Sequence, residues 1–350
     1  MSIHTNTGTL AKRNSGTLVK STTLRLLAIA IILFSFAGAA FADEPGESIK
    51  VERLSFPVTL SDGSPAEIVG NLYYKGSFHN RTLLLAVHGA NYNKKYWDVP
   101  NINGHEYSFA RYMAEQKYAV LAIDQLGAGE STKPADGDLV TLDQTASAIH
   151  QVITQLRSGE GGVGYAFERV VTVSHSLGSI NAVYEQGTYH DADAVITTGM
   201  GHVPHTLPVP QELIDFLSQF EYFAVPSELR PVMFYYAPGA DPDVIQYDVD
   251  NLSDNLARGQ LTTGIMISFN FDQEAMRVGS VNGPVLVQLG EFDGLFPASL
   301  AGGEAAFFTG ASSVTVQPLP GVGHDFNTHF RNHEGWRLMD EWLRAQGFGR

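Results

Sequence analysis

The sequence contains no cysteine. That excludes a disulfide scaffold, a thiolate-ligated zinc site and a cysteine nucleophile together. Charge is also sparse, at 17% of 350 residues. Positive charge is the scarcer sign: 22 Lys and Arg stand against 37 Asp and Glu, a net charge of −15. A nucleic-acid binder needs a basic face to displace counterions from phosphates, so no nucleic-acid partner is expected. There is no glycine triplet, sustained heptad or internal repeat, which excludes collagen-like, coiled-coil and solenoid architectures. Long apolar runs are lacking beyond one at the N-terminus, so a polytopic membrane protein is excluded. What is present is ordinary globular material: 44% of the residues are hydrophobic. At roughly 150 residues per domain, the length suits one large domain or two small ones.

The N-terminal run reads as an export signal. Lys12, Arg13, Lys20 and Arg25 precede it with no acid among them. From Leu26 to Phe36 every residue but Ser35 is apolar, and Ala40-Phe41-Ala42 closes the segment with small residues. A basic start, an apolar middle and an A-x-A end make a cleavable signal peptide. Cleavage after Ala42 is expected, giving a secreted or periplasmic protein with no stable membrane anchor. Without cysteine, a lipoprotein is excluded.

The mature part opens with two alternating stretches, Ile49–Val58 and Ala66–Tyr74, around the Ser61-Asp62-Gly63-Ser64-Pro65 turn. They predict antiparallel strands. Short apolar runs follow at Thr82–Val87, Tyr118–Ile123, Arg169–Val173, Ala194–Thr197, Pro284–Leu289 and Ser313–Gln317. Such runs, rich in Val, Ile and Leu, suit strands covered on both faces. Helical patterns lie between them at His105–Gln116, Thr141–Arg157, Leu177–Gln186, Leu300–Phe308 and Glu334–Ala345. Thr141 and Gln144 resemble a capping box. Strands alternating with helices imply an α/β fold with a largely parallel sheet.

Residues 200–280 interrupt the alternation. They hold seven of the sixteen prolines and ten aromatics. A structureless loop of this length is uncommon in a compact domain, so an inserted, mainly helical cap is expected. Its acids outnumber its bases eleven to three. A roof so charged would repel anionic substrates, and its aromatic and Met content, with Met233 and Met266, predicts an apolar inner face. Residues 43–199 and 281–350 then form the core.

Three side chains carry the candidate chemistry. Ser176 stands in Ser174-His175-Ser176-Leu177-Gly178, between a strand and a helix. A nucleophile on such a sharp turn needs small neighbours two residues away on either side. Asp293 follows the Pro284–Leu289 strand, and His324 follows the last strand. Each can reach the C-terminal edge of the sheet, in the chain order nucleophile, acid, base. Asp124 is a rival for the acid, though its loop reads as a structural turn. His324, His329 and His333 show no tight metal-ligand spacing, so no metal is expected. Asp325 is expected to face solvent or cap a turn.

With these residues in view, the sequence resembles the α/β-hydrolase superfamily over nearly all of its mature length. Val87-His88-Gly89-Ala90 resembles that family's oxyanion loop, and Asp124-Gln125-Leu126-Gly127-Ala128-Gly129-Glu130-Ser131 its D-x-x-G-x-G-x-S loop. His175-Ser176-Leu177-Gly178 is similar to the G-H-S-x-G elbow, with Ser174 replacing the first glycine. Gly323-His324 matches the base loop. The resemblance implies an eight-stranded, mostly parallel sheet flanked by helices, a cap after the sixth strand and no cofactor. It implies an oxyanion hole from the backbone N–H groups of Leu177 and Ala90. The expected activity is hydrolysis of a small-molecule carboxylic ester or lactone through an acyl-enzyme on Ser176. Carbon–carbon bond hydrolases, peptidases and acyltransferases of the same superfamily use similar residues. A non-catalytic binding protein on this fold is the alternative of a different class.

Overall fold

A computed structural model describes residues 47–349. The predicted export segment, 1–42, lies outside the described residues. Eight strands form the main sheet: β1 (Ile49–Thr59), β2 (Pro65–Lys75), β3 (Leu83–Val87), β4 (Ala119–Ile123), β5 (Val170–His175), β6 (Ala194–Thr198), β7 (Pro284–Gly290) and β8 (Ser313–Leu319). Their order across the sheet is β1-β2-β4-β3-β5-β6-β7-β8. β2 pairs antiparallel with β1 and β4, and the pairings from β4 to β8 are parallel.

The apolar runs are strands because both faces of the sheet are covered. Leu84 and Ala86 of β3 pack with Phe109 and Met113 of α1 (Phe109–Glu115) and with Trp336 and Trp342 of the C-terminal helix (Asn332–Ala345). The alternate residues, Leu83, Leu85 and Val87, pack on the other face with Ile149, Val152 and Ile153 of α2 (Leu142–Ser158). The two-residue alternation of strand side chains sorts them so. Thr141 caps α2, accepting from the Gln144 N–H at 3.1 Å. Gln144 does not reach back to it but accepts from the Ser61 N–H, so the capping box is half formed.

Two predicted helices are corrected. His105–Tyr107 is not helical; it pairs antiparallel with Val99–Ile102. Asn103 and Gly104 both have positive φ, 53° and 84°, which is the two-residue turn that matches strand twist. The helix begins only after Ser108, whose hydroxyl caps it. In Leu300–Phe308 the α-helix is limited to Ala301–Glu304. Gly302 and Gly303 weaken it, since glycine costs about 1 kcal/mol per position against alanine.

Residues 200–280 contain α4 (Gln211–Leu217), α5 (Arg230–Phe234) and α6 (Pro242–Asn251), and a helical run over 258–269 with a π turn at Leu261–Ile265. Tyr222–Phe223 pairs with Leu256–Ala257. Leu261, Phe223 and Met276 pack with Leu177 of α3 (Leu177–Tyr189) and Val285 of β7. Among the described residues, no helix is long and apolar enough to cross a membrane.

Candidate active site

Ser176 stands between β5 and α3, with φ 51° and ψ −119°. A non-glycine residue adopts this region only when its surroundings impose it. The packing around the turn does so. A Cβ on Gly178 would lie 2.4 Å from the backbone oxygens of Val87 and His88, and one on Gly89 would lie 3.1 Å from Ser176 Cβ. Only glycine lets β3 and the turn approach so closely. Ser174 fits in place of the first glycine because its hydroxyl is satisfied within the sheet, donating to the Ile196 carbonyl at 2.9 Å.

The loops after β7 and β8 bring the other two groups to the same edge. His324 Nε2 lies 2.9 Å from Ser176 Oγ, and His324 Nδ1 lies 2.9 Å from Asp293 Oδ2. The other Asp293 oxygen accepts from the N–H groups of Leu295 and Phe296 at 2.8 and 3.0 Å. With Asp293 accepting at Nδ1, the Nε2 lone pair faces the serine. His329 holds the loop that carries His324. Its Nε2 accepts from the Gly323 and Tyr236 N–H groups, and its Nδ1 donates to the Asp325 carbonyl at 2.6 Å.

Electrostatics follow from burial against pairing. Burial by itself would raise the Asp293 carboxyl, but the His324 ring and the two N–H groups outweigh it and hold the group below the usual carboxylate range. Burial would lower the His324 imidazole, yet the paired Asp293 carboxylate lifts it above its ordinary value.

Ser176, His324, Ala90 and Leu177 all border one cleft. Leu177 is the first residue of α3, where N–H groups have no acceptor within the helix. Ile214, Leu217, Val225, Met233, Phe269 and Leu295 are among its walls. Among the described residues, no Asp, Glu, Lys or Arg lines it. The acids of 200–280 do not roof the cleft with charge, contrary to the sequence reading. Glu212, Asp215, Glu221 and Glu228 are exposed, and Asp248 is buried against Arg230.

Asp124 is elsewhere. Its carboxylate accepts from the Lys94 N–H and ammonium and from the Glu130 N–H, which closes the Asp124–Ser131 loop. His329 and His333 do not converge with His324; His333 Nε2 meets the Glu106 carbonyl at 3.1 Å. Asp325 is a correction: it is wholly buried rather than solvent-facing. Tyr92, Arg230, Tyr235 and Asp248, which pack behind His324, carried no sequence signal at all.

A sheet of this order, with a serine on a strained strand-to-helix turn and Asp and His on the loops after β7 and β8, defines a hydrolase-type architecture. The chain belongs to the alpha/beta hydrolase family, whose model matches residues 84–336. It is similar to a thermophilic esterase from Thermogutta terrifontis (17% identity, 84% of this chain and 99% of that one, TM-score 0.60). A monoacylglycerol lipase from Paleococcus ferrophilus is similar too (17%, 85% and 99%, 0.56), as is a bromoperoxidase from Bacillus anthracis (17%, 84% and 99%, 0.55). At such identities the likeness is one of fold. No curated protein gives a significant match.

Proposed function

We propose that the protein is an exported serine hydrolase that cleaves neutral carboxylic esters or lactones bearing a hydrophobic acyl or alcohol group. The observation that carries this reading is the unbroken line from Asp293 through His324 to Ser176, two contacts of 2.9 Å, at the floor of an uncharged apolar cleft. A serine hydroxyl is a weak nucleophile at neutral pH. His324 takes its proton as Oγ attacks the carbonyl, then delivers it to the leaving alcohol. Asp293 keeps the imidazole in the right tautomer and stabilises the imidazolium. The oxyanion is met by the Ala90 and Leu177 N–H groups; losing one such donor costs about 3–4 kcal/mol of transition-state stabilisation. Water, activated by the same histidine, releases the acyl group.

The apolar cleft supports a hydrophobic substrate, since a carboxylate or phosphate placed there would lose its hydration without a partner. The esterase and lipase likenesses agree with this class. Export rests on the signal-like N-terminus. Fluorophosphonate labelling with a panel of p-nitrophenyl esters tests the proposal. Labelling confined to Ser176 and turnover that grows with acyl length are expected; a folded protein that does not label would end the serine-hydrolase reading.

A further inference from the structure

Behind His324 lies a set of buried polar groups that ester chemistry does not use. Asp325, Asp248 and Arg230 have no exposed surface, and Tyr92 is 1% exposed. The Tyr92 hydroxyl is in hydrogen-bonding contact with Asp325 Oδ2 and lies 2.9 Å from Asp248 Oδ2. Asp248 is ion-paired with Arg230 and accepts from the Tyr235 hydroxyl at 2.9 Å. The remaining groups around Asp325 are His175, with Nε2 3.4 Å from Oδ1, Tyr96 stacked on His175 at 4.7 Å, His324 and His329.

The proton count does not close with both carboxylates ionised. Tyr92 has one hydroxyl proton and two carboxylate oxygens beside it. One contact uses that proton, and the other needs a proton on a carboxyl. Asp248, receiving a guanidinium and a tyrosine hydroxyl, is the one that stays ionised. Charge leads to the same answer: two carboxylates against one guanidinium would strand a negative charge away from water. Burial raises both carboxyls above their ordinary values, Asp248 to about 6, so the choice between them rests on these contacts.

We propose that Asp325 is held as a neutral carboxylic acid that donates to Tyr92, which donates to Asp248, and that it acts as a positioning residue for His324. The proposal rests on His324 being the catalytic base. The relay ties together three stretches distant in sequence. Tyr92 is two residues beyond Ala90, Arg230 and Asp248 belong to the 200–280 segment, and Asp325 adjoins His324. A neutral acid makes this tie without adding a second negative charge beside the imidazole. Such a charge would raise the base further and deplete the neutral form that takes the serine proton.

Asp325→Ala removes the donor and is expected to lower kcat roughly tenfold to a hundredfold with little change in KM, as a small misplacement of a catalytic group does. Asp325→Asn, uncharged and still a donor, is expected to restore most of kcat and to leave the acid limb of the kcat/KM profile in place. A limb moved to lower pH by about one unit in Asp325→Asn would show that Asp325 is ionised, since its charge then lifts the base. An Asp325→Ala variant with wild-type kcat would end the positioning role. If Asp325→Asn does not fold, infrared spectroscopy of the wild type at pH 8 decides. A protonated-carboxyl band should persist in Glu185→Gln, which removes another buried carboxyl raised by burial. Its absence there overturns the proposal. The infrared result is independent of substrate, whereas failure of Ser176 to label would count against the proposed function instead.

Discussion

Ser176 Oγ and His324 Nε2 stand 2.9 Å apart although they lie 148 positions apart in the chain. The contact exists because β5 and β8 deliver their following loops to one edge of the sheet. Asp293 completes it from the loop after β7. The first prediction concerns these three. Ser176→Ala, His324→Ala and Asp293→Asn should each keep the wild-type melting profile within a few degrees. Each should lower kcat by about 10⁴-fold or more, and a double variant should lose little beyond a single one because the groups act as a unit. Asp124→Asn should behave oppositely, losing thermal stability while keeping catalysis, since its carboxylate holds Lys94 and the Glu130 N–H. Turnover numbers beside calorimetry separate the two acids.

The second prediction is a pH profile. In the proposed mechanism, catalysis needs neutral His324. Its pKa is raised above 6.5, because Asp293 outweighs burial. The acid limb of kcat/KM should therefore fall above pH 6.5, with activity rising as pH rises through it. The sign for stability is the reverse. A histidine whose folded pKa is raised contributes fully below 6.5 and loses that contribution as pH passes the folded value. The melting advantage of wild type over His324→Gln should shrink from pH 6 to pH 9. An acid limb well below 6.5 would contradict the pairing with Asp293.

The third prediction concerns the turn. Gly178→Ala places a methyl carbon 2.4 Å from the Val87 and His88 backbone oxygens. Backbone on both sides cannot yield without moving β3 away from the turn. A loss of about 1–3 kcal/mol in denaturant unfolding is expected, of the size seen for overpacking. Fluorophosphonate labelling of the folded fraction should slow as well.

The fourth prediction concerns the cleft. Each methylene buried contributes about 0.8 kcal/mol, so kcat/KM should rise up to roughly fourfold per added CH₂ until the walls are filled. A substrate analogue carrying a carboxylate should react poorly, and added salt should not rescue it. The exclusion comes from desolvation within apolar walls, which salt does not screen, rather than from the field of the exposed acids. Leu213→Glu, which sets a charge on the wall at a half-buried position, should flatten the chain-length trend.

The fifth prediction is structural. Arg230 and Asp248 form a buried pair. Arg230→Met leaves Asp248 without its cation, and removing one partner of such a pair typically costs about 3–5 kcal/mol. Urea unfolding of the folded variant, followed by tryptophan fluorescence, measures it.

The sequence by itself determined the α/β layout. The runs that became β3 to β7 are short enough for strands and lack a polar face, so they had to lie between two layers, whereas the alternating Ser313–Gln317 run became the half-exposed edge strand β8. It also marked Ser176, Asp293 and His324, because each follows such a run at a glycine-bearing turn. The hairpin at Asn103-Gly104 was legible too, in a turn dipeptide that the helical pattern around it obscured. Only the tertiary structure decided where the charges went. Asp325 and the acids of 200–280 are the same residue types in similarly polar neighbourhoods, yet Asp325 and Asp248 are buried while Glu212 and Asp215 meet water. A carboxyl group is driven outward unless a partner compensates its desolvation. The partners here are distant: Tyr92 is 233 positions from Asp325 and 156 from Asp248. Local sequence carries no record of a neighbour that the folding of the whole sheet must supply.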